Sequence, residues 1–290
     1  MEPSRNHVMT IARKPEWLRK RVCPAEEQSA TLKLLQELNL TTVCQQALCP
    51  NIYECFSCSR ATFLILGSRC TRRCSFCNVE KNIPLSVDSS EVERVAAAVT
   101  ALKLKHVVIT SPTRDDLPDG GAAIYAATVV AIRKTSPATG VELLIPDFRG
   151  NLSSLLTIIA SHPDIVGHNI ETVPRLYHVR NGADYRRSLN VIKMLASLSP
   201  EIRTKSGVML GLGETREEVL QVLQDLRRHG CDYLTLGQYL APSRNHFQVQ
   251  EYIPPDIFDE LKEVASELGF RHVESGPFVR SSYHAGRYDQ

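Results

Sequence analysis

No charge of either sign dominates the 290-residue sequence: 34 Lys and Arg stand against 32 Asp and Glu, a net +2. A dedicated nucleic-acid binder usually carries a strong basic excess, so that class is disfavoured. No window approaches the roughly 18 uninterrupted apolar residues of a membrane span. Residues 1–21 are polar and basic, without the apolar stretch of a secretory signal. The expectation is a cytoplasmic protein with no membrane partner and no nucleic-acid partner. With 43% hydrophobic and 23% charged residues, nothing in the composition suggests disorder or a fibrous repeat. The full glycine fingerprint of dinucleotide-binding folds is missing as well, since Gly120-Gly121 and Gly211-Leu-Gly213 punctuate loops without completing it. A nicotinamide cofactor is therefore disfavoured. The nine cysteines are an odd number in a chain expected to sit in a reducing compartment, which argues against a disulfide framework.

Residues 1–25 hold the only tryptophan, Trp17, and read as an extended arm, with a short helix following at about 25–38. From Ala61 onward short apolar β-rich runs alternate with amphipathic helical runs, the pattern of consecutive βα units on a parallel sheet. The strands fall at 62–66, 106–110, 141–145, 165–170, 207–211 and 233–236, six in all. Val92, Val95, Val99 and Leu102 recur at helical spacing behind Glu91 and Glu93, and Thr215-Arg-Glu-Glu218 forms a capping box closed by Gly230. A last helix spans 255–268. Six such units predict an α/β fold, a partial (β/α)6 version of the TIM-type barrel, with a doubly wound open sheet left open by pattern alone. Three parts are expected: an N-terminal extension (1–60), the barrel (61–270) and a C-terminal tail (271–290).

Cys44, Cys49, Cys55, Cys70, Cys74 and Cys77 fall within 34 consecutive positions, a density that points to metal. Cys70, Cys74 and Cys77 have the spacing CxxxCxxC directly after the first apolar strand. A tight loop of three thiolates can wrap three irons of a cubane 4Fe-4S cluster and leave the fourth open to a small molecule. Upstream, Cys44, Cys49 and Cys55 are spaced CxxxxCxxxxxC and imply a second cluster. The competing reading is a zinc ribbon, because Cys55-x2-Cys58 and Cys74-x2-Cys77 are 15 residues apart. It would strand Cys44, Cys49 and Cys70 and place an apolar strand inside a zinc loop. Cys23 and Cys231 stand alone and read as small apolar residues.

The CxxxCxxC triplet, with Phe76 just before its last cysteine, resembles the radical S-adenosylmethionine enzymes. Together with Cys49-Pro-Asn-Ile-Tyr-Glu-Cys55 and the terminal Arg280-Ser281-Ser282-Tyr283, it resembles the lipoyl synthases within them. The resemblance runs from about Lys14 to Tyr288, with Cys58 departing from it. It implies insertion of two sulfur atoms at carbons 6 and 8 of a protein-bound octanoyl-lysine. The implied cofactors are two 4Fe-4S clusters and S-adenosylmethionine. Cys70, Cys74 and Cys77 would hold the first cluster, and Cys44, Cys49, Cys55 and Ser282 the auxiliary one that donates sulfur, with Ser281 an alternative for the serine. The two are expected to face each other in one cavity. The implied partners are an octanoylated lipoyl carrier domain or H-protein and an electron donor such as ferredoxin or flavodoxin.

Barrel active sites gather at the carboxyl ends of strands. There the sequence places Arg114-Asp115-Asp116, Pro146-Asp147-Phe148 and His168-Asn169-Ile-Glu171, while the fifth segment reads from Thr204-Lys205 through to Gly211-Leu-Gly213-Glu214. Asn169 and Glu171 are the best candidates for polar contacts to S-adenosylmethionine, with Phe76 nearby and Lys205 and Arg114 as partners for carboxylates. Against each stands a plainer role: turn caps for Asp115 and Asp116, a helix cap for Glu214, a core histidine for His168. Alternatives for the whole chain are another sulfur-inserting radical enzyme of the biotin-synthase kind, and a non-catalytic zinc or iron–sulfur interaction protein.

Overall fold

A computed structural model describes residues 14–19, 29–58 and 60–288. The expected arm and Cys23 lie almost wholly outside these residues. Helix α1 (Ser29–Glu37) is followed by the short α2 (Val43–Gln46) and α3 (Ile52–Ser57), and then by alternating strands and helices. These are β1 (Thr62–Leu64), α4 (Glu91–Ala101), β2 (His106–Thr110), α5 (Ala122–Thr135), β3 (Gly140–Leu144), α6 (Leu152–Ala160) and β4 (Ile165–Gly167). They continue as α7 (Tyr185–Leu198), β5 (Arg203–Leu210), α8 (Arg216–Arg228), β6 (Tyr233–Gln238), α9 (Pro255–Glu267) and β7 (His272–Gly276).

All strand pairs are parallel and the sheet runs β1 to β7 in chain order. Strand order never reverses, so there is no topological switch point and the doubly wound alternative is excluded. Sequential parallel strands with a helix in each crossover form the wall of an incomplete barrel. Strands β1, β4 and β6 are buried along their whole length, on both faces, which explains their continuous apolar runs. Helix α8 carries the reciprocal capping box of Thr215 and Glu218, and Arg227 and Arg228 complement its dipole at the other end.

The seventh strand was not expected. It falls inside the segment assigned to the tail, and only Val273 among its residues is a buried hydrophobe. Strand β5 begins four residues earlier than its apolar run, at Arg203, whereas β1 and β4 end sooner than expected. The exposed edge of β1 is covered by the N-terminal extension: Leu64 donates its amide to Thr41 O (2.9 Å), and Thr42 bridges Phe63 antiparallel. A covered edge cannot recruit another chain.

Candidate active site

The loop after β1 is held on every side by hydrogen bonds that the barrel supplies. Leu66 and Gly67 take left-handed conformations to turn the chain off the strand. Leu66 N donates to Glu91 (2.7 Å), and Leu66 O accepts from the Arg114 guanidinium (3.0 Å). Gly121 permits this turn, since a Cβ there would lie 2.2 Å from a methyl carbon of Leu66. Beyond the turn, Cys70 N bonds Glu80 O, Thr71 N bonds Thr113 O, and Ser75 N bonds Val179 O, at 2.8–3.0 Å.

Between the cysteines, Arg72 is buried and Arg73 exposed. The Arg72 fork donates to both oxygens of Asp115 (2.8 and 3.0 Å) and both of Asp147 (3.1 and 2.6 Å). It thereby ties the cysteine loop to the ends of β2 and β3. Burial pushes the Asp147 carboxyl up, but the hydrogen bonds and charge of Arg72 outweigh it and hold the group well below the usual carboxylate range.

Cys70, Cys74, Cys77 and Phe76 line a cavity of about 200 Å³ with Thr110, Asp147, Asn169, Glu171 and Arg180. The lining comes from the carboxyl ends of β1 to β4, where barrel sites belong. Glu171 adopts φ of 68°, a strained value for a residue other than glycine, stabilised by its backbone bridge to β5. Burial raises its carboxyl pKa, opposed by the Arg180 charge and the Asn169 amide. Asn169 Nδ2 also donates to Ser281 Oγ at 2.6 Å. His168 lies behind the cavity wall as a core residue, its ring nitrogens paired with Ile145 O and Ser188 Oγ.

A second cavity, about 630 Å³, is lined by Cys44, Cys49, Cys55 and Cys58 together with Thr62, Val108, Arg280, Ser282 and Tyr283. Two distant chain ends meet here. Asn51 Nδ2 donates to Phe278 O (2.7 Å), Tyr283 OH to Glu54 (3.1 Å), and Thr62 Oγ1 to Ser282 Oγ (2.7 Å). Gly237 on β6 makes room for the tail, because a Cβ there would lie 2.2 Å from Val279 O. Ser282 lines this cavity; Ser281 does not.

The single cavity expected for both cysteine sets is replaced by two. Thr62 and Val108 line the larger and Leu64 and Thr110 the smaller. Residues two apart on a strand share a face, so the cavities stack along one inner wall. Asn169 and the Ser281–Ser282 pair connect the two levels.

Two expected contacts are not found. Lys205 lines neither cavity: its buried ammonium donates to Glu142 (2.6 Å) and Tyr288 OH (2.5 Å) near the amino ends of the strands. Arg114 is likewise absent from both linings and clamps Leu66 O, Leu85 O and Asp116. The zinc ribbon also fails, since Cys55 and Cys58 face the larger cavity and Cys74 and Cys77 the smaller. Sequence reasoning missed Arg72 and Arg180 and gave Arg280 no role beyond its place in the terminal motif, because no local pattern announces their burial.

The donor sets fit cubane clusters better than single ions. Among the described residues no three His, Cys, Asp or Glu side chains converge on a point that would take one metal ion, and the described cysteines are free thiols. A cube instead takes each thiolate on a different iron. Burial raises the Cys74 thiol to about 12, and the Cys77 and Cys44 thiols above their ordinary value. Iron must therefore displace protons as it binds, which makes loading pH-dependent.

An all-parallel partial barrel with a CxxxCxxC loop after its first strand defines the radical S-adenosylmethionine enzymes, and the Radical SAM superfamily pattern matches residues 64–226. Among solved structures, the fold is similar to methylornithine synthase (TM-score 0.55, 12% identity, 73% of this chain and 69% of that one). It is also similar to a maturase of the [FeFe]-hydrogenase (TM-score 0.52, 11% identity, 87% and 68%). Much nearer are two lipoyl synthases. That of Geotalea uraniireducens is 62% identical over 280 residues, covering 97% of this chain and 99% of the relative. That of Trichlorobacter lovleyi is 64% identical over 281 residues, covering 97% and 100%. The chain belongs to the lipoyl synthase family and is a radical S-adenosylmethionine sulfurtransferase.

Proposed function

We propose that the chain inserts two sulfur atoms, at carbons 6 and 8, into an octanoyl group amide-linked to a lysine of a carrier protein, and that its two stacked cavities divide the work. In this reading Cys70, Cys74 and Cys77 hold one 4Fe-4S cluster, and Asn169, Glu171 and Arg180 bind the amino and carboxylate groups of S-adenosylmethionine beside Phe76. Cys44, Cys49, Cys55 and Ser282 hold the auxiliary cluster. When bound, the first cluster and S-adenosylmethionine supply the one-electron chemistry that breaks unactivated C–H bonds, and the second supplies sulfur.

The protein's own part is placement and exclusion of water. Arg72 fixes the cysteine loop, the strained Glu171 faces the smaller cavity, and Asn169 bonds the tail that brings Ser282 to the larger one. A serine oxygen is a harder, poorer partner for iron than thiolate, which suits a cluster that is to be dismantled. The extension (1–60), barrel (61–270) and tail (271–290) act as three working parts, the tail including β7. The carrier is a lipoyl domain or H-protein, the electron donor a ferredoxin or flavodoxin, and the reaction cytoplasmic. Among the described residues no helix is long and apolar enough to cross a membrane.

The observation that carries this reading is the meeting of Cys44, Cys49, Cys55 and Ser282, from opposite ends of the chain, at one cavity. Mass spectrometry of an octanoylated carrier peptide, incubated with S-adenosylmethionine and a reductant, will show the gain of two sulfurs. Cys49→Ala will keep S-adenosylmethionine cleavage and lose sulfur transfer, whereas Cys74→Ala will lose both. Equal loss in the two variants would contradict the division of labour.

A further inference from the structure

We propose that the mouth of the larger cavity is the docking surface for the carrier, and that it selects an acidic face around the octanoylated lysine. The inference rests on the reading of the substrate given above. Four exposed cations frame this cavity: Arg60 just before β1, Lys103 and Lys105 in the turn from α4 to β2, and Arg287 in the tail. Their side chains have no carboxylate partner among the described residues. Elsewhere on the surface several exposed arginines are paired, as in Arg175–Glu218, Arg216–Glu260 and Arg271–Asp232, so it is the gathering of four unpaired cations around one opening that marks this rim. Among the described residues of the lining Glu54 is the only carboxylate, and Tyr283 OH donates to it. Three chain segments therefore bring unpaired charge of one sign to one opening, in a protein whose net charge is only +2.

Like charges around an opening repel one another in the free protein, and an anionic surface laid over them relieves that repulsion while raising the association rate. The neutrality of the substrate side chain matters as much. Acylation removes the lysine charge, so an octanoyl-lysine passes the cationic mouth without opposition. An unmodified lysine is repelled, first by the rim and then by Arg280, which is more deeply buried in the same cavity. One surface thus attracts the carrier and rejects the carrier that has not yet been octanoylated, a specificity partly built from repulsion.

The test uses the iron-loaded enzyme and the variant Lys103→Asn/Lys105→Glu. Asparagine is chosen because Lys103 has φ of 50°, which asparagine tolerates. The probes are an octanoylated carrier domain with acidic residues flanking its lysine, the same domain without the octanoyl group, and a short uncharged octanoyl-lysine peptide. Stopped-flow binding to the octanoylated domain will show an association rate that falls as salt rises and is roughly tenfold lower in the variant. The unmodified domain will bind the parent more weakly than the octanoylated one. Turnover of the uncharged peptide and iron content will match the parent, separating docking from folding and chemistry. A variant that captures the octanoylated domain as fast as the parent overturns the docking surface and leaves the sulfur chemistry standing. A parent enzyme that adds no sulfur to the uncharged peptide overturns the substrate reading, and the docking surface with it.

Discussion

Replacing Arg72 with methionine keeps most of the side-chain volume and removes the fork that joins the cysteine loop to β2 and β3. Its guanidinium is 6% exposed, while Asp147 is 0% and Asp115 15% exposed. Asp147 retains Arg187 at 2.8 Å and Asp115 retains Arg149 at 3.2 Å, both less buried partners than Arg72. Removing one member of such a buried network leaves charge uncompensated and costs about 3–5 kcal/mol. At about 2–4 °C per kcal/mol, that is a fall in Tm of roughly 6–20 °C. Because the Asp147 pKa is lowered by folding, its contribution is fully present above the unfolded carboxylate range and is lost progressively as pH falls below that range towards the depressed folded value. The deficit is therefore greatest at neutral pH and shrinks on acidification. Scanning calorimetry of Arg72→Met beside the parent measures the loss, and adding Asp115→Asn will restore part of it by removing a stranded charge. A single variant within about 1 kcal/mol of the parent, the size of an exposed pair, would refute the argument that this fork holds the loop.

Two further predictions follow from the same packing. Gly237→Ala places a methyl against the Val279 carbonyl, an overpacking cost of about 1–3 kcal/mol. It will displace the tail, lowering iron content and sulfur transfer while S-adenosylmethionine cleavage persists, as iron analysis and product assays will show. Burial, reinforced by Arg180, holds His168 at a pKa of about 3. The unfolded chain therefore binds one more proton between that value and about 6.5, so stability rises with pH across the window. Urea unfolding will lose about 1.2 kcal/mol from this residue between about pH 6 and pH 5, and His168→Gln will lack that component of the slope.

What could be read from the sequence was whatever is local. The two cysteine triplets are contiguous patterns, and five of the six expected strands lie within about two residues of their observed starts because an all-parallel sheet writes its strands as apolar runs. Strand β7 escaped for the opposite reason: His272-Val-Glu-Ser-Gly276 has no such run. The start of β5 was hidden by the buried polar residues Thr204, Lys205 and Ser206. Lys205 and Arg114 read as partners for carboxylates of cofactor or substrate because they are cations in the segments around strands, and sequence does not show which partner claims each. The partner that claims Lys205, Glu142, stands 63 positions away in sequence. Nothing in Cys70-Thr-Arg-Arg-Cys74 says which arginine turns inward. Ser282 was found through the family resemblance alone, since a single serine carries no periodicity, and its place beside the cysteines depends on how the tail crosses Gly237.

The proposed division of labour requires two iron–sulfur cubes at two levels of one barrel wall, each with its own donors. Iron and acid-labile sulfide analysis with Mössbauer spectroscopy on anaerobically reconstituted protein tests this most directly. The parent chain will hold about eight irons as two 4Fe-4S clusters, and Cys44→Ala/Cys49→Ala/Cys55→Ala about four, with S-adenosylmethionine cleavage retained. About four irons in the fully loaded parent, unchanged in the triple variant, would contradict it.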